Sequence, residues 1–102
     1  VGESSKIIRG RVAKAREIQK ERFHGRDILT NSEMNVRDLK SFAPLSENVK
    51  NILLQAAKRL DLSARVYHRV IKISRTIADL EGEKDIKENH IFEALQYRPK
   101  GS

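Results

Sequence analysis

Residues Leu62 to Leu80 read L-S-A-R-V-Y-H-R-V-I-K-I-S-R-T-I-A-D-L, and the rest of the chain is best read outward from them. Ser63 stands just ahead of an apolar run with helical periodicity, where its hydroxyl can accept a hydrogen bond from an otherwise unpaired helical N–H. At about 100° per residue, Val66, Val70, Ile73, Ile77 and Leu80 fall on one side, widened by Tyr67, Ile71 and Ala78. Arg65, His68, Arg69, Lys72, Arg75 and Asp79 fall together on the other. The spacing predicts a strongly amphipathic helix with a cationic outer face. Its apolar arc is wide enough to need cover from more than one neighbour, as the central helix of a small bundle would.

Arg65 breaks a local rule. In the first turn the helix dipole and the free N–H groups disfavour a cation by ~0.3–1 kcal/mol. An anion such as phosphate, held between Arg65 and the helix start, would turn that cost into an attraction. An arginine that bends away to a surface carboxylate would also relieve it. Both readings are open from spacing alone.

Upstream, Ser46 is placed to cap a helix with Val49, Ile52, Leu53, Ala56, Ala57 and Leu60 inward, and Lys58 and Arg59 near its carbonyl end, where cations are favoured. Only Asp61 and Leu62 separate it from the central helix, so the two are expected to turn sharply and pack as neighbours. Asn35 with Asp38 predicts a short capped helix to Phe42, ended by Pro44. A first helix is expected from a cap at Ser4 or Ser5 to about Arg22, with Ile8, Val12, Ala15 and Ile18 or Gln19 inward. Gly10 in its interior costs ~1 kcal/mol relative to alanine. His24-Gly25-Arg26 then reads as a stop and a loop to about Asn31.

Downstream, Gly82 sits where a left-handed helix cap belongs, and Ile86 is an isolated apolar residue suited to anchoring a polar link in the core. A last helix from about Lys87 to Tyr97 offers Ile91, Ala94 and Leu95, and Pro99 marks its end. His90 is expected to pack or cap near this helix. No segment alternates with the period of a strand. The predicted fold is all-α, a small bundle of four to five helices in one domain, with residues 1–26 a basic linker and first helix, 27–98 the bundle core and 99–102 a tail.

With 102 residues the chain can bury a modest core unaided. It has no cysteine, which excludes disulfides and thiolate metal sites, and its three histidines are scattered, so no metal site is expected. Apolar runs are far too short for a membrane span and the N-terminus lacks an apolar signal core, which leads to the expectation of a soluble, cytoplasmic protein. Val1 at the start and Met34 as the single methionine suggest a piece of a longer chain.

The net charge is +7, and residues 1–26 hold eight basic against three acidic side chains. That asymmetry fits a nucleic-acid surface, an acidic partner or simply well-solvated helices. The glycines form neither G-x-x-x-x-G-K-[ST] nor G-x-G-x-x-G, and no Ser-His-Asp arrangement suggests itself. Catalysis is not expected of this chain on its own.

S-A-R-V-Y-H-R-V-I-K-I-S-R-T-I-A-D-L-E-G at 63–82 and I-x-x-x-H-I-x-E-A-L-Q-Y-R at 86–98 resemble the C-terminal domain of magnesium-chelatase-like AAA+ ATPases of the ComM type. E-S-S-x-x-I-R-x-R-V-x-x-A-R-x-x-Q at 3–19 fits the linker and first lid helix of the same family, and T-N-S-E-M with the following L-x-x-F resembles its short middle helix. Val66 departs from the pattern, standing where the family often has a small residue. The resemblance implies an AAA+ C-terminal lid whose P-loop core lies N-terminal to it, with ATP and Mg2+ bound in the parent protein and neither held by this piece alone.

It further implies that Arg65 is the sensor-2 arginine that touches the γ-phosphate. Arg69, Arg75, His68, Arg11 and Arg16 are candidates for contacts with the core or a neighbouring subunit; a solvated cationic face is the alternative for Arg69 and Arg75, and a structural hydrogen-bonding role for His68. The implied partners are the AAA+ core of the same chain, neighbouring subunits of a homo-oligomeric ring, usually a hexamer, and DNA, with branch migration in natural transformation as the work. No membrane is implied. A stand-alone basic nucleic-acid-binding or oligomerisation module is the competing expectation.

Overall fold

A computed structural model of the chain describes residues 5–97. Five α-helices follow in order: α1 Ser5–Arg22, α2 Val36–Phe42, α3 Glu47–Leu60, α4 Ala64–Leu80 and α5 Glu88–Gln96. A 3-10 turn at Asn31–Glu33, not foreseen from the sequence, lies between α1 and α2. No strand occurs among the described residues. The all-α bundle is the one that the helical periodicities predict.

The boundaries have local chemical causes. The Ser63 hydroxyl accepts from the Val66 N–H at 3.2 Å and the Ser46 hydroxyl from the Val49 N–H at 3.3 Å. Asn35 and Asp38 cap each other, each side chain accepting from the other's backbone N–H, at 2.8 and 3.1 Å. α3 stops at Asp61, whose φ of 52° is left-handed, a region that a short polar side chain tolerates better than most. α4 stops ahead of Gly82, φ 72°, where the Glu83 N–H donates to the Ala78 carbonyl at 2.8 Å.

α5 is capped from inside its own first turn. The Lys87 N–H donates to His90 Nδ1 at 2.8 Å, which places the ring proton on Nε2, 3.0 Å from Glu81 Oε1. His90 is therefore a buried capping residue, as expected. The cap expected at Ser4 or Ser5 and the stop at Pro99 lie outside the described residues and side chains.

α4 is the centre of the bundle, covered by α5, α1, the 3-10 turn and α2. Leu53, Val70 and Ile91 are wholly shielded from solvent, and Phe23, Met34, Leu39, Val66 and Ile86 close around them. Phe23 meets Phe42 edge to face, ring centroids 5.2 Å apart. Ile86 is the anchor that its isolated apolar character suggests.

Three expectations are corrected here. α3 packs chiefly on α5 rather than along α4, because a two-residue link brings two helix ends together without choosing which flanks meet. Leu60, expected inward, is 38% exposed. Ile8, also expected inward, is 49% exposed, because the contact of α1 with the bundle begins near Val12 and becomes close at the buried Ala15. No helix among the described residues is long and apolar enough to cross a membrane.

Candidate anion groove beside the start of the central helix

Arg65 lies in the first turn of α4 and is exposed. No carboxylate pairs with it among the described residues, so the surface-carboxylate reading of its position is not the one taken. Arg69 and Lys72 follow one and two turns later on the same flank. Together with Ser32 of the 3-10 turn and Thr76 they line a groove of about 460 Å³ floored by Ile73 and Ile77. Among the described residues no acidic side chain lines it. Lys72 Nζ spans the groove and donates to the Ser32 carbonyl at 3.3 Å.

Like charges three or four residues apart on a helix repel by roughly 0.2–0.5 kcal/mol per pair. Arg65 to Arg69 and Arg69 to Lys72 are two such pairs, added to the dipole cost at Arg65. The groove is therefore a place where local electrostatics is unfavourable until an anion arrives. Chemically it can hold phosphate oxygens, with guanidinium forks for two-point contacts and an ammonium as a point charge.

The wall of the groove is fastened from beneath by a buried ionic cluster. Asp79 Oδ1 and Oδ2 accept from Nη2 and Nη1 of Arg22, both at 2.7 Å. Oδ1 also accepts from Arg75 Nε at 3.2 Å, and Oδ2 from Asn31 Nδ2 at 2.8 Å. Asn31 Nδ2 reaches Thr76 Oγ1 at 3.1 Å, and the Asn31 N–H donates to Gln19 Oε1 at 3.0 Å. One carboxylate thus ties α1, α4 and the 3-10 turn together, setting Ser32 opposite Lys72.

This cluster corrects two placements made from periodicity. Arg75 and Asp79, read as part of the outer cationic face, are 3% and 1% exposed. Arg75, expected to meet a core domain or neighbouring subunit, instead donates inward to the carbonyls of Lys84 and Glu83 at 2.9 and 2.8 Å. Burial pushes its guanidinium pKa down and the adjacent Asp79 pulls it back up. The physical reason is cover: α1 and the 3-10 turn pack over the last turns of α4, so residues that a wheel places outside are enclosed. No buried side-chain nitrogen or oxygen among the described residues lacks a hydrogen-bond partner.

The other predicted site residues do not gather at the groove. His68 is partly buried on the opposite flank of α4, edge-on to Tyr67 with centroids 5.6 Å apart, in a concavity of about 390 Å³ lined largely by apolar residues of the α2 region. Arg11 and Arg16 are exposed on α1 and line no part of the groove. The residues that sequence reasoning missed are Arg22, Asn31 and Asp79 as a unit. The one readable trace was the spacing of Arg75 and Asp79, four apart with opposite charge.

Residues 2–98 match the family model described as magnesium chelatase, subunit ChlI C-terminal. The chain is 45% identical over 97 residues to Competence protein ComM of Haemophilus influenzae. It is 33% identical over 97 residues to the YifB proteins of Salmonella typhimurium and Escherichia coli. Each of these alignments covers 95% of this chain but 18% of the relative, so the chain spans about a fifth of the length of the proteins it matches.

Proposed function

The chain belongs to the magnesium chelatase subunit ChlI C-terminal family, in its ComM branch, and from that premise we propose that Arg65 is the sensor-2 arginine of an ATP-driven machine. In this reading ATP and Mg2+ are held by the AAA+ core of the parent chain. The helical domain described here closes over them as the lid. The observation that carries the reading is Arg65 itself, at a helix start in a groove where, among the described residues, no carboxylate pairs with it and no acidic side chain lines the wall.

The mechanism follows from a difference in contacts. With ATP present the guanidinium donates to γ-phosphate oxygens. After hydrolysis and release of phosphate that partner is gone. Hydrogen bonds involving charged groups contribute ~1.5–3 kcal/mol, so loss of the contact shifts an open–closed equilibrium of the lid by roughly 10- to 150-fold. That shift is the step that converts hydrolysis into motion. In a ring of such subunits, a hexamer in the family arrangement, the exposed Arg11 and Arg16 and the partly buried His68 would meet the core or a neighbouring subunit. DNA is the substrate that the family resemblance implies, with branch migration as the work.

The test is Arg65→Ala in the parent chain. Because Arg65 is exposed, the variant keeps the melting temperature of the parent, and ATP turnover falls by about 10- to 150-fold, the range set by one charge-assisted contact. Turnover within twofold of the parent's refutes the sensor assignment.

A further inference from the structure

We infer that Arg69 and Lys72 are phosphate-binding residues alongside Arg65, and that the groove takes a chain of linked phosphates rather than a single phosphate group. This rests on the reading of Arg65 as a nucleotide contact and extends it to two residues that sequence comparison assigned to other surfaces or to none.

The argument starts from placement. Arg65, Arg69 and Lys72 stand at i, i+4 and i+7, so they follow one flank of α4 for about 10.5 Å of helix axis. One phosphate at the helix start would satisfy Arg65 and leave Lys72 two turns away. A linear polyanion reaches all three. Among the described residues the lining supplies no carboxylate that would quench them, and neither Arg65 nor Arg69 has an ion-pair partner.

Lys72 adds a second kind of observation. Its Nζ is not spread into solvent but is drawn across the groove to the Ser32 carbonyl, a neutral acceptor at 3.3 Å. That is a weak contact, one that an anionic oxygen displaces readily. The acceptor is fixed in place, since the 3-10 turn carrying Ser32 is held by Asn31 on the buried Asp79 carboxylate at 2.8 Å. The ammonium is therefore already gathered toward the groove before any ligand arrives, which reduces the ordering cost of binding.

Titration of the 102-residue chain with inorganic tripolyphosphate and, separately, inorganic phosphate, followed by amide chemical shifts at low salt, tests this. Tripolyphosphate is expected to bind at least tenfold more tightly than phosphate, with shifts centred on residues 64–76 and 31–33. Arg69→Gln and Lys72→Gln should each weaken it fivefold or more, whereas Lys58→Gln, on exposed α3 surface, should leave it unchanged. Equal binding of the two anions, or equal loss from Lys58→Gln and Lys72→Gln, overturns the proposal. If the titration behaves as expected but Arg65→Ala leaves turnover of the parent intact, the polyphosphate site stands and the sensor role falls. If turnover collapses while Arg69→Gln and Lys72→Gln bind tripolyphosphate like the unaltered chain, the sensor role stands and this inference falls.

Discussion

Asp79 and Arg65 carry opposite consequences although both are charged residues of α4. Asp79 is 1% exposed and pairs with both the buried Arg75 and the half-buried Arg22. Asp79→Asn keeps the shape but leaves the buried Arg75 and the half-buried Arg22 guanidinium groups against a neutral amide. Removing one partner of a buried ionic cluster costs ~3–5 kcal/mol, and urea unfolding of the chain should show a loss of that size. A midpoint within experimental error of the parent's would mean that the cluster does not hold the fold. Arg65 is solvated, and its replacement should move stability by no more than about 0.5 kcal/mol. Legibility divides along the same line. The caps at Ser63, Ser46 and Asn35 were readable because each partner lies three residues away. The bonds from Asp79 to Arg22 and Asn31 cross 57 and 48 positions, and no local pattern encodes them.

Among the helices, α1 and α4 show how far intrinsic preference reaches. A Cβ at Gly10 would meet nothing within 4 Å, and the residue sits in a regular helix interior. Gly10→Ala should therefore raise stability by up to ~1 kcal/mol. Gly82 has room for a Cβ as well, its nearest neighbour being Lys14 Nζ at 3.7 Å, but its φ is 72°. Gly82→Ala should lower stability by ~1–2 kcal/mol, through backbone strain rather than a clash. Opposite signs for the two alanines, measured by thermal unfolding in one buffer, check the pair; unchanged or raised stability in Gly82→Ala would show that helix capping does not control the α4 end. The extents of α2, α3, α4 and α5 follow from caps and periodicity, while the pairing of α3 with α5 does not. Link length limits how far apart two helices start, and side-chain relief decides which flanks meet.

In the whole molecule, stability is graded from the α4 core outward. Residues 66–78 include Val70 and Ala78, both fully shielded, whereas every residue from 6 to 11 is exposed, Ile7 and Ile8 among them. Amide hydrogens of 66–78 should exchange only through global unfolding and those of the first turns of α1 by local fraying, a difference of several orders of magnitude in rate. Similar protection in both segments would mean that α1 is supported along its whole length in solution. The sequence by itself determined the helices, their caps, the central place of α4 and the anomaly at Arg65, because each depends on neighbours within a turn or two along the chain. Tertiary structure alone decided that Arg75 and Asp79 are interior and that Arg22 and Asn31 join them. It alone set Ser32 opposite Lys72 to make a groove of the Arg65 flank. A charged residue is outside or inside according to what packs over it, and that cover comes from segments remote in sequence whose approach no helical period records.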